Sequence, residues 1–169
     1  PLPTSLIPAV GDLDGDGDVD LIVGDGNGNI HYFNNTAGAG NLANFVLSTA
    51  NLDGIDVGNT AAPELADLDC DGDLDLLIGH STGKIKYYEN TGSASSFQFA
   101  LITDTLGGID MSTPWYFLGY PYPTAIDNGG NWQLFVGGAP GNVSRFTDIE
   151  NNLAGTFTET DTALVGLYS

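Results

Sequence analysis

Residues 11–24 read Gly-Asp-Leu-Asp-Gly-Asp-Gly-Asp-Val-Asp-Leu-Ile-Val-Gly, with aspartate at every second position from Asp12 to Asp20. Carboxylates this close repel one another, and Asp is both a poor strand former and a rare core residue. Yet the stretch runs directly into the apolar Leu21-Ile22-Val23. Something must cancel the charge, and something must turn the chain at once into a strand.

The stretch returns 55 residues later as Asp67-Leu68-Asp69-Cys70-Asp71-Gly72-Asp73-Leu74-Asp75-Leu76-Leu77-Ile78-Gly79. The likeness continues downstream, where GNGNIHYFNNTAG (26–38) matches STGKIKYYENTGS (81–93). Upstream, Pro8 and Pro63 each stand four residues before the first aspartate. A degenerate third copy, TAIDNGGNWQLFVGG (124–138), follows 58 residues after the second when Asp127 is set on Asp69. That alignment places Pro121 on Pro63 and Gly137 on Gly79. The linkers repeat too: NLDGIDVGNTAAP (51–63) resembles the longer TLGGIDMSTPWYFLGYP (105–121). Self-similarity at such a period marks stacked structural units.

Each unit reads as four short strands. In the second, one strand precedes the aspartates, and a second follows them near Leu74 to Ile78. A third spans Lys84 to Glu89, and a fourth carries Phe97 to Ile102. Alternating apolar residues, β-branched and aromatic side chains, and Gly/Asn turns all favour strands. No segment carries a convincing helical period. The fold class is therefore all-β, with units at 1–50, 51–104 and 105–160, and the start of a further linker at 161–169.

Composition narrows the function. The chain has 169 residues, 22 acidic against 3 basic, and a formal net charge of -19. Nucleic-acid binding needs a basic stripe, and anionic membrane surfaces attract basic segments, so both partners are unexpected. No apolar run approaches the roughly 18 residues of a membrane-spanning helix. The opening PLPTSLIPAV lacks the basic start and long apolar stretch of a signal peptide. The single cysteine, Cys70, excludes an internal disulfide.

Loop positions 1, 3, 5, 7 and 9, with glycine at 6, form the first part of a calcium loop of EF-hand type. Side chains at 1, 3, 5 and 9 and the carbonyl at 7 can surround a cation that takes six to eight oxygens. The side-chain ligands expected are Asp12, Asp14, Asp16 and Asp20, with the Asp18 carbonyl. In the second copy they are Asp67, Asp69, Asp71 and Asp75, with the Asp73 carbonyl. Two calcium ions would offset the repulsion. The loops are not EF-hands, because Val23 and Ile78 stand where the bidentate glutamate belongs and the flanks are strands. The third copy keeps only Asp127, with Ala125, Gly129, Asn131 and Gln133 at the other places, so a tight turn without metal is expected there.

The DxDxDGDxDLxxG loop followed by G-x-I-x-Y-Y-x-N resembles the FG-GAP/VCBS repeats of integrin-α-like β-propellers, as found in secreted bacterial proteins. The resemblance covers nearly the whole chain. It implies four-stranded antiparallel blades, with calcium in the loop joining the first two strands of each. It supports the same ligand positions in the first two loops and fails in the third. Closed propellers usually have four to eight blades. Three blades thus imply a partial or excised propeller whose exposed edges need the rest of the ring or another copy to cover them.

His31 and His80 have no cysteine or carboxylate constellation in the sequence around them and are expected to be structural. Cys70 takes the place of Gly15 and should point away from the ion; no partner histidine marks it as a nucleophile. No Ser/His/Asp set, phosphate loop or zinc spacing occurs. Trp132 aligns with Leu74 and Val19 and is expected in the core. The enlarged linker holds Trp115, Tyr116, Phe117, Tyr120 and Tyr122. Packing between blades is their simplest use. Stacking on sugar rings or anchoring a protein partner is the functional alternative, with Trp115, Tyr116, Tyr120 and Tyr122 as candidate ligand contacts.

The sequence thus points to a non-catalytic, calcium-stabilised propeller segment of a secreted or cell-surface protein, serving adhesion or the binding of a protein or glycan. A lectin-like module and an accessory domain of a secreted polysaccharide-degrading enzyme are the alternatives.

Overall fold

The computed structural model describes residues 4–115, 117–139, 141–150 and 152–161. Within them lie three antiparallel sheets of four strands each, every strand paired with its neighbour in sequence. The first sheet is β1 (Ile7–Gly11), β2 (Asp20–Gly24), β3 (Ile30–Asn35) and β4 (Phe45–Thr49). The second is β5 (Ala62–Ala66), β6 (Asp75–Gly79), β7 (Ile85–Asn90) and β8 (Phe99–Thr103). The third is β9 (Tyr122–Asp127), β10 (Trp132–Gly137), β11 (Val143–Thr147) and β12 (Thr158–Asp161). The helical structure described is two single 3-10 turns, Leu52–Gly54 and Leu106–Gly108, one at the start of each linker. Each sheet is a blade-like unit, as the repeats predict. The expected linker at 161–169 falls, apart from its first residue, outside the described residues.

The units share fine detail. Register shifts between the third and fourth strands fall at Tyr32/Phe33, Tyr87/Tyr88 and Arg145/Phe146, which are equivalent positions. Such an extra residue bends the outer strand and increases its twist.

The first strands of successive blades, β1, β5 and β9, lie side by side, and the sheets stack face to face. One apolar layer joins the first two blades. Ile22, Ile30 and Tyr32 meet Leu76, Ile78 and Tyr88 there, sealed by Ile55 and Val57 of the linker. A second layer joins the next pair. Leu77, Ile85 and Tyr87 meet Leu134, Val136 and Phe146, sealed by Ile109 and Met111. Strand β6 is buried along its whole length because its alternate residues feed the two layers. This explains why Leu76-Leu77-Ile78 is continuously apolar, where a strand with one wet face would alternate. A hydrogen bond from the Ala125 N–H to the Glu64 carboxylate (2.9 Å) adds to the second layer. Trp132, expected in the core, is half-buried and packs at the edge of this layer.

The structure corrects the alignment of the third copy. Gly79 pairs with Ala62, and Gly137 with Tyr122. Pro123, not Pro121, is therefore the counterpart of Pro63, and Asp127 is the counterpart of Asp67 rather than Asp69. The third turn is two residues shorter, since Ala66 pairs with Asp75 but Ile126 with Gln133. It closes tightly. The Asp127 carboxylate accepts from the Gly130 N–H (2.6 Å), and Asn128 donates to the Asn131 carbonyl (3.2 Å).

Close approach of neighbouring blades is set by glycine. A Cβ on Gly24 would drive into the Ala61 carbonyl, and one on Gly79 into the Pro121 carbonyl. At the equivalent Gly137, no described atom lies within 4 Å of that position. Gly24→Ala and Gly79→Ala are thus expected to lower stability by about 1–3 kcal/mol, the usual cost of overpacking, while Gly137→Ala should have little effect. Urea unfolding of the three variants checks this; equal losses at all three positions would contradict the stacking.

Candidate metal centres

The aspartate loops join the first two strands of the first two blades. In the first loop Asp12 accepts from Gly15 (2.7 Å) and Gly17 (3.0 Å), Asp14 from Asp16 (3.3 Å) and Asp16 from Asp18 (3.0 Å), all backbone N–H donors. In the second, Asp67 accepts from Asp71 (3.1 Å) and Gly72 (3.1 Å), Asp69 from Asp71 (3.2 Å) and Asp71 from Asp73 (3.1 Å). These bonds curl the backbone so that alternate side chains share one side. The fourth loop position takes positive φ in both copies, +74° at Gly15 and +64° at Cys70, which costs the non-glycine residue some strain. Cys70 is exposed and free, as expected.

Carboxylate oxygens of Asp12, Asp14 and Asp20 lie within 4.8 Å of one another, and so do those of Asp67, Asp69 and Asp71. Together the loops cover positions 1, 3, 5 and 9. Asp16 falls outside the first cluster and Asp75 outside the second. The side chains at position 7, assigned from sequence through their carbonyls, are enclosed. Both oxygens of Asp18 and one of Asp73 are buried without a hydrogen-bond partner. Burial, then the neighbouring carboxylates, pushes Asp18, Asp69 and Asp73 above the ordinary carboxylate range. An all-oxygen donor set with convergent carboxylates suits a hard divalent cation such as calcium.

Position 9 does more than the sequence indicates. The buried Asp20 carboxylate accepts from the Leu13 N–H (3.1 Å), the Tyr32 hydroxyl (3.1 Å) and the Asn35 N–H (2.8 Å). Asp75 repeats the set with Leu68 (3.2 Å), Tyr87 (2.9 Å) and Asn90 (2.9 Å). Each carboxylate thus ties the loop to the far side of the third strand. Burial pushes Asp75 up to about 6 against these hydrogen bonds, and burial beside a carboxylate pushes Tyr32 up to about 12 and Tyr87 higher still. The side chains of Asn35 and Asn90 continue the network, accepting from Asn44 (2.9 Å) and Gln98 (2.9 Å) at the start of the outer strand. In the sequence these tyrosines and asparagines are letters of the G-x-I-x-Y-Y-x-N motif with no role of their own. Their signal was the fixed offset from the last aspartate, twelve and fifteen residues in both copies.

His31 is not without a carboxylate. Its Nε2 lies 2.9 Å from Asp25, and both are buried. Burial pushes Asp25 up, but hydrogen bonds from His31, Asn29 and Asn27 outweigh it and hold the carboxyl below its ordinary range. The pair fills the β2–β3 turn and supports the structural expectation for His31. His80, the counterpart of Asp25, bonds Thr82 (3.1 Å).

The aromatic linker differs from expectation. Trp115 is 89% exposed and Phe117 79%, so neither packs between blades among the described residues. Tyr120 is half-buried, Tyr122 is exposed, and Tyr116 lies outside the described residues. The linker keeps its anchors, with Met111 donating to the Gly83 carbonyl (2.7 Å) and Gly119 pressed against Gly83, and between them Trp115, Phe117 and Leu118 face outward.

The geometry separates ligand from scaffold. In a chelator, Asp75→Asn should still cost about 2–3 kcal/mol, because it turns an amide N–H toward buried donors. Asp71→Asn, at an exposed position, should cost under about 0.5 kcal/mol under the same conditions. Parallel denaturant curves check this, and equal costs would contradict the division of roles.

A family model described as FG-GAP-like repeat matches residues 12–78. No curated protein matches the chain. The matched span runs from Asp12 of the first loop through the second loop into β6, and includes the Tyr32 and Asn35 that the first loop grips. Over residues 12–78 the chain is thus similar to an FG-GAP-like repeat.

Proposed function

We propose that the chain is a non-catalytic β-propeller segment, stabilised by two structural calcium ions, that serves binding or adhesion outside the cell. The observation that carries the calcium reading is the double convergence of carboxylates, Asp12/Asp14/Asp20 and Asp67/Asp69/Asp71, beside the buried, unpartnered oxygens of Asp18 and Asp73. An acidic turn that merely faced water would not enclose position 7. Asp16, at an exposed position, completes the first set by turning its side chain, and Asp75, held in place as Asp20 is, stands at the same ninth position of the second. Extracellular modules bind calcium with dissociation constants of about 10⁻⁴–10⁻³ M, which suits a structural ion in a calcium-rich compartment.

The outer faces support a role for further blades or a second copy. On the first blade, Val10 and Val19 are about half exposed. On the third, Tyr122 and Ile126 are equally open. These positions correspond to ones that are covered or partly covered in the middle blade. A lectin-like role is the second reading, favoured by the exposure of Trp115 and Phe117. Flat aromatic side chains held in solvent are suited to stacking on sugar rings or seating a protein hot spot. Among the described residues, no helix is long and apolar enough to cross a membrane.

Isothermal titration should show two calcium ions per chain, with Asp14→Ala and Asp69→Ala each removing one. Magnesium should compete poorly, since it demands tighter octahedral geometry. Absence of calcium heat and of any calcium-dependent spectral change in the folded chain would overturn the reading.

A further inference from the structure

Between the second linker and strands β11 and β12 of the third blade lies a cavity of about 300 Å³, bounded by Asp110, Met111, Asn142, Ser144, Phe146 and Glu159 among others. It sits by the start of β11, at the strand ends opposite the aspartate loops. The layer between the first two blades supplies an internal comparison, because the scaffold there is the same. Val57 donates to the Gly28 carbonyl (2.9 Å) as Met111 does to Gly83 (2.7 Å). Asp56 accepts from the Gly58 N–H (2.7 Å) as Asp110 does from Ser112 (2.9 Å). The second linker is longer, and the side chains filling the space differ.

Strand register gives the correspondence. Ile78 pairs with Lys86, and Val136 with Ser144. Lys86 is therefore the counterpart of Ser144, Tyr88 of Phe146, and Lys84 of Asn142. Leu101, opposite Tyr88, corresponds to Glu159, opposite Phe146. Two of the chain's 3 basic residues thus stand at this one place in the first layer. Lys86 is largely enclosed there, with Nζ 2.9 Å from Asp104. In the second layer the lysines are gone while the aspartate of the linker stays and a glutamate is added. The Asn142 Oδ1 is buried without a partner, and Ser144 is only 2% exposed. The wall offers acceptors and negative charge around an apolar floor of Met111 and Phe146, the inverse of a lysine side chain with its methylene stem and ammonium tip.

We propose that this cavity binds a lysine side chain presented by a protein partner, in the place that Lys86 fills within the neighbouring layer. The inference names a ligand class for the binding role proposed above and rests on that reading. It does not rest on calcium, because the cavity and the aspartate loops lie at opposite strand ends.

The test uses the full chain in saturating calcium, with Nα-acetyl-lysine methylamide as probe and the uncharged norleucine analogue as control. Amide chemical shifts in heteronuclear NMR report where the probe binds. The expected result is saturable shifts confined to residues around Asp110, Ser144 and Glu159, absent with the norleucine analogue. Asp110→Asn should weaken binding about fivefold by removing a charge-assisted contact while its side-chain oxygen can still accept from Ser112. Ser144→Lys should fill the space from within, abolish the shifts and leave the fold intact by thermal unfolding. Glu159→Gln, at an exposed position, gives a second variant should Ser144→Lys fail to fold. No saturable shifts, or shifts spread over the aspartate loops and unchanged in Asp110→Asn and Glu159→Gln, would overturn the proposal. An unfolded wild-type chain in calcium would instead count against the propeller reading, which separates the two failures.

Discussion

The hydrogen bonds to Asp20 and Asp75 are the constraint on which the first two blades depend. A carboxylate is expensive to bury unless its oxygens are satisfied. Here each meets two backbone N–H groups and a tyrosine hydroxyl drawn from two segments, the start of the loop and the third strand. The loop cannot slip without orphaning a buried charge, so the position of the remaining aspartates follows from this anchor. The third blade shows what happens when the anchor goes. Gln133 replaces the aspartate, Arg145 the tyrosine and Asp148 the asparagine, and the turn shortens until Asp127 and two glycines close it. The network is lost as a set, because any remnant would leave a buried polar group unpaired.

Stacking is the second organising constraint. Each blade presents one apolar face backward and another forward, and the linker seals the layer between them. Among the described residues only the middle blade has both faces covered, which is why β6 is buried at every position while β2 and β10 are partly open. The glycines at the end of the second strand let the next blade's first strand approach closely. Where the equivalent positions carry Asn142, Ser144 and Glu159 in place of Lys84, Lys86 and Leu101, a cavity opens beside the linker.

Much of this was legible in the sequence. The repeat of Asp12–Gly24 as Asp67–Gly79 marked the loops, and the alternation in Ile85-Lys86-Tyr87 marked the third strands. What escaped notice depends on contacts between distant residues. No local pattern says that the Tyr32 hydroxyl reaches Asp20, or that Asp25 and His31 meet across a turn. Asp127 resembles several loop aspartates equally, so strand pairing, not local sequence, fixes its counterpart as Asp67. Trp115 and Phe117 were expected between blades because large aromatics usually bury. The linker's anchors at Met111 and Gly119 leave Trp115 and Phe117 no interior to enter.

The central claim is that a cation offsets the repulsion of each aspartate loop and thereby stabilises the fold. The most direct measurement is thermal unfolding of this chain in millimolar calcium and then in a chelator. An ion held at ten times its dissociation constant stabilises by about 1.4 kcal/mol per site, so two sites give roughly 3 kcal/mol. For a chain of this size that is a shift of about 6–12 °C in Tm, reversed by restoring calcium. Identical unfolding curves with and without calcium would contradict the claim.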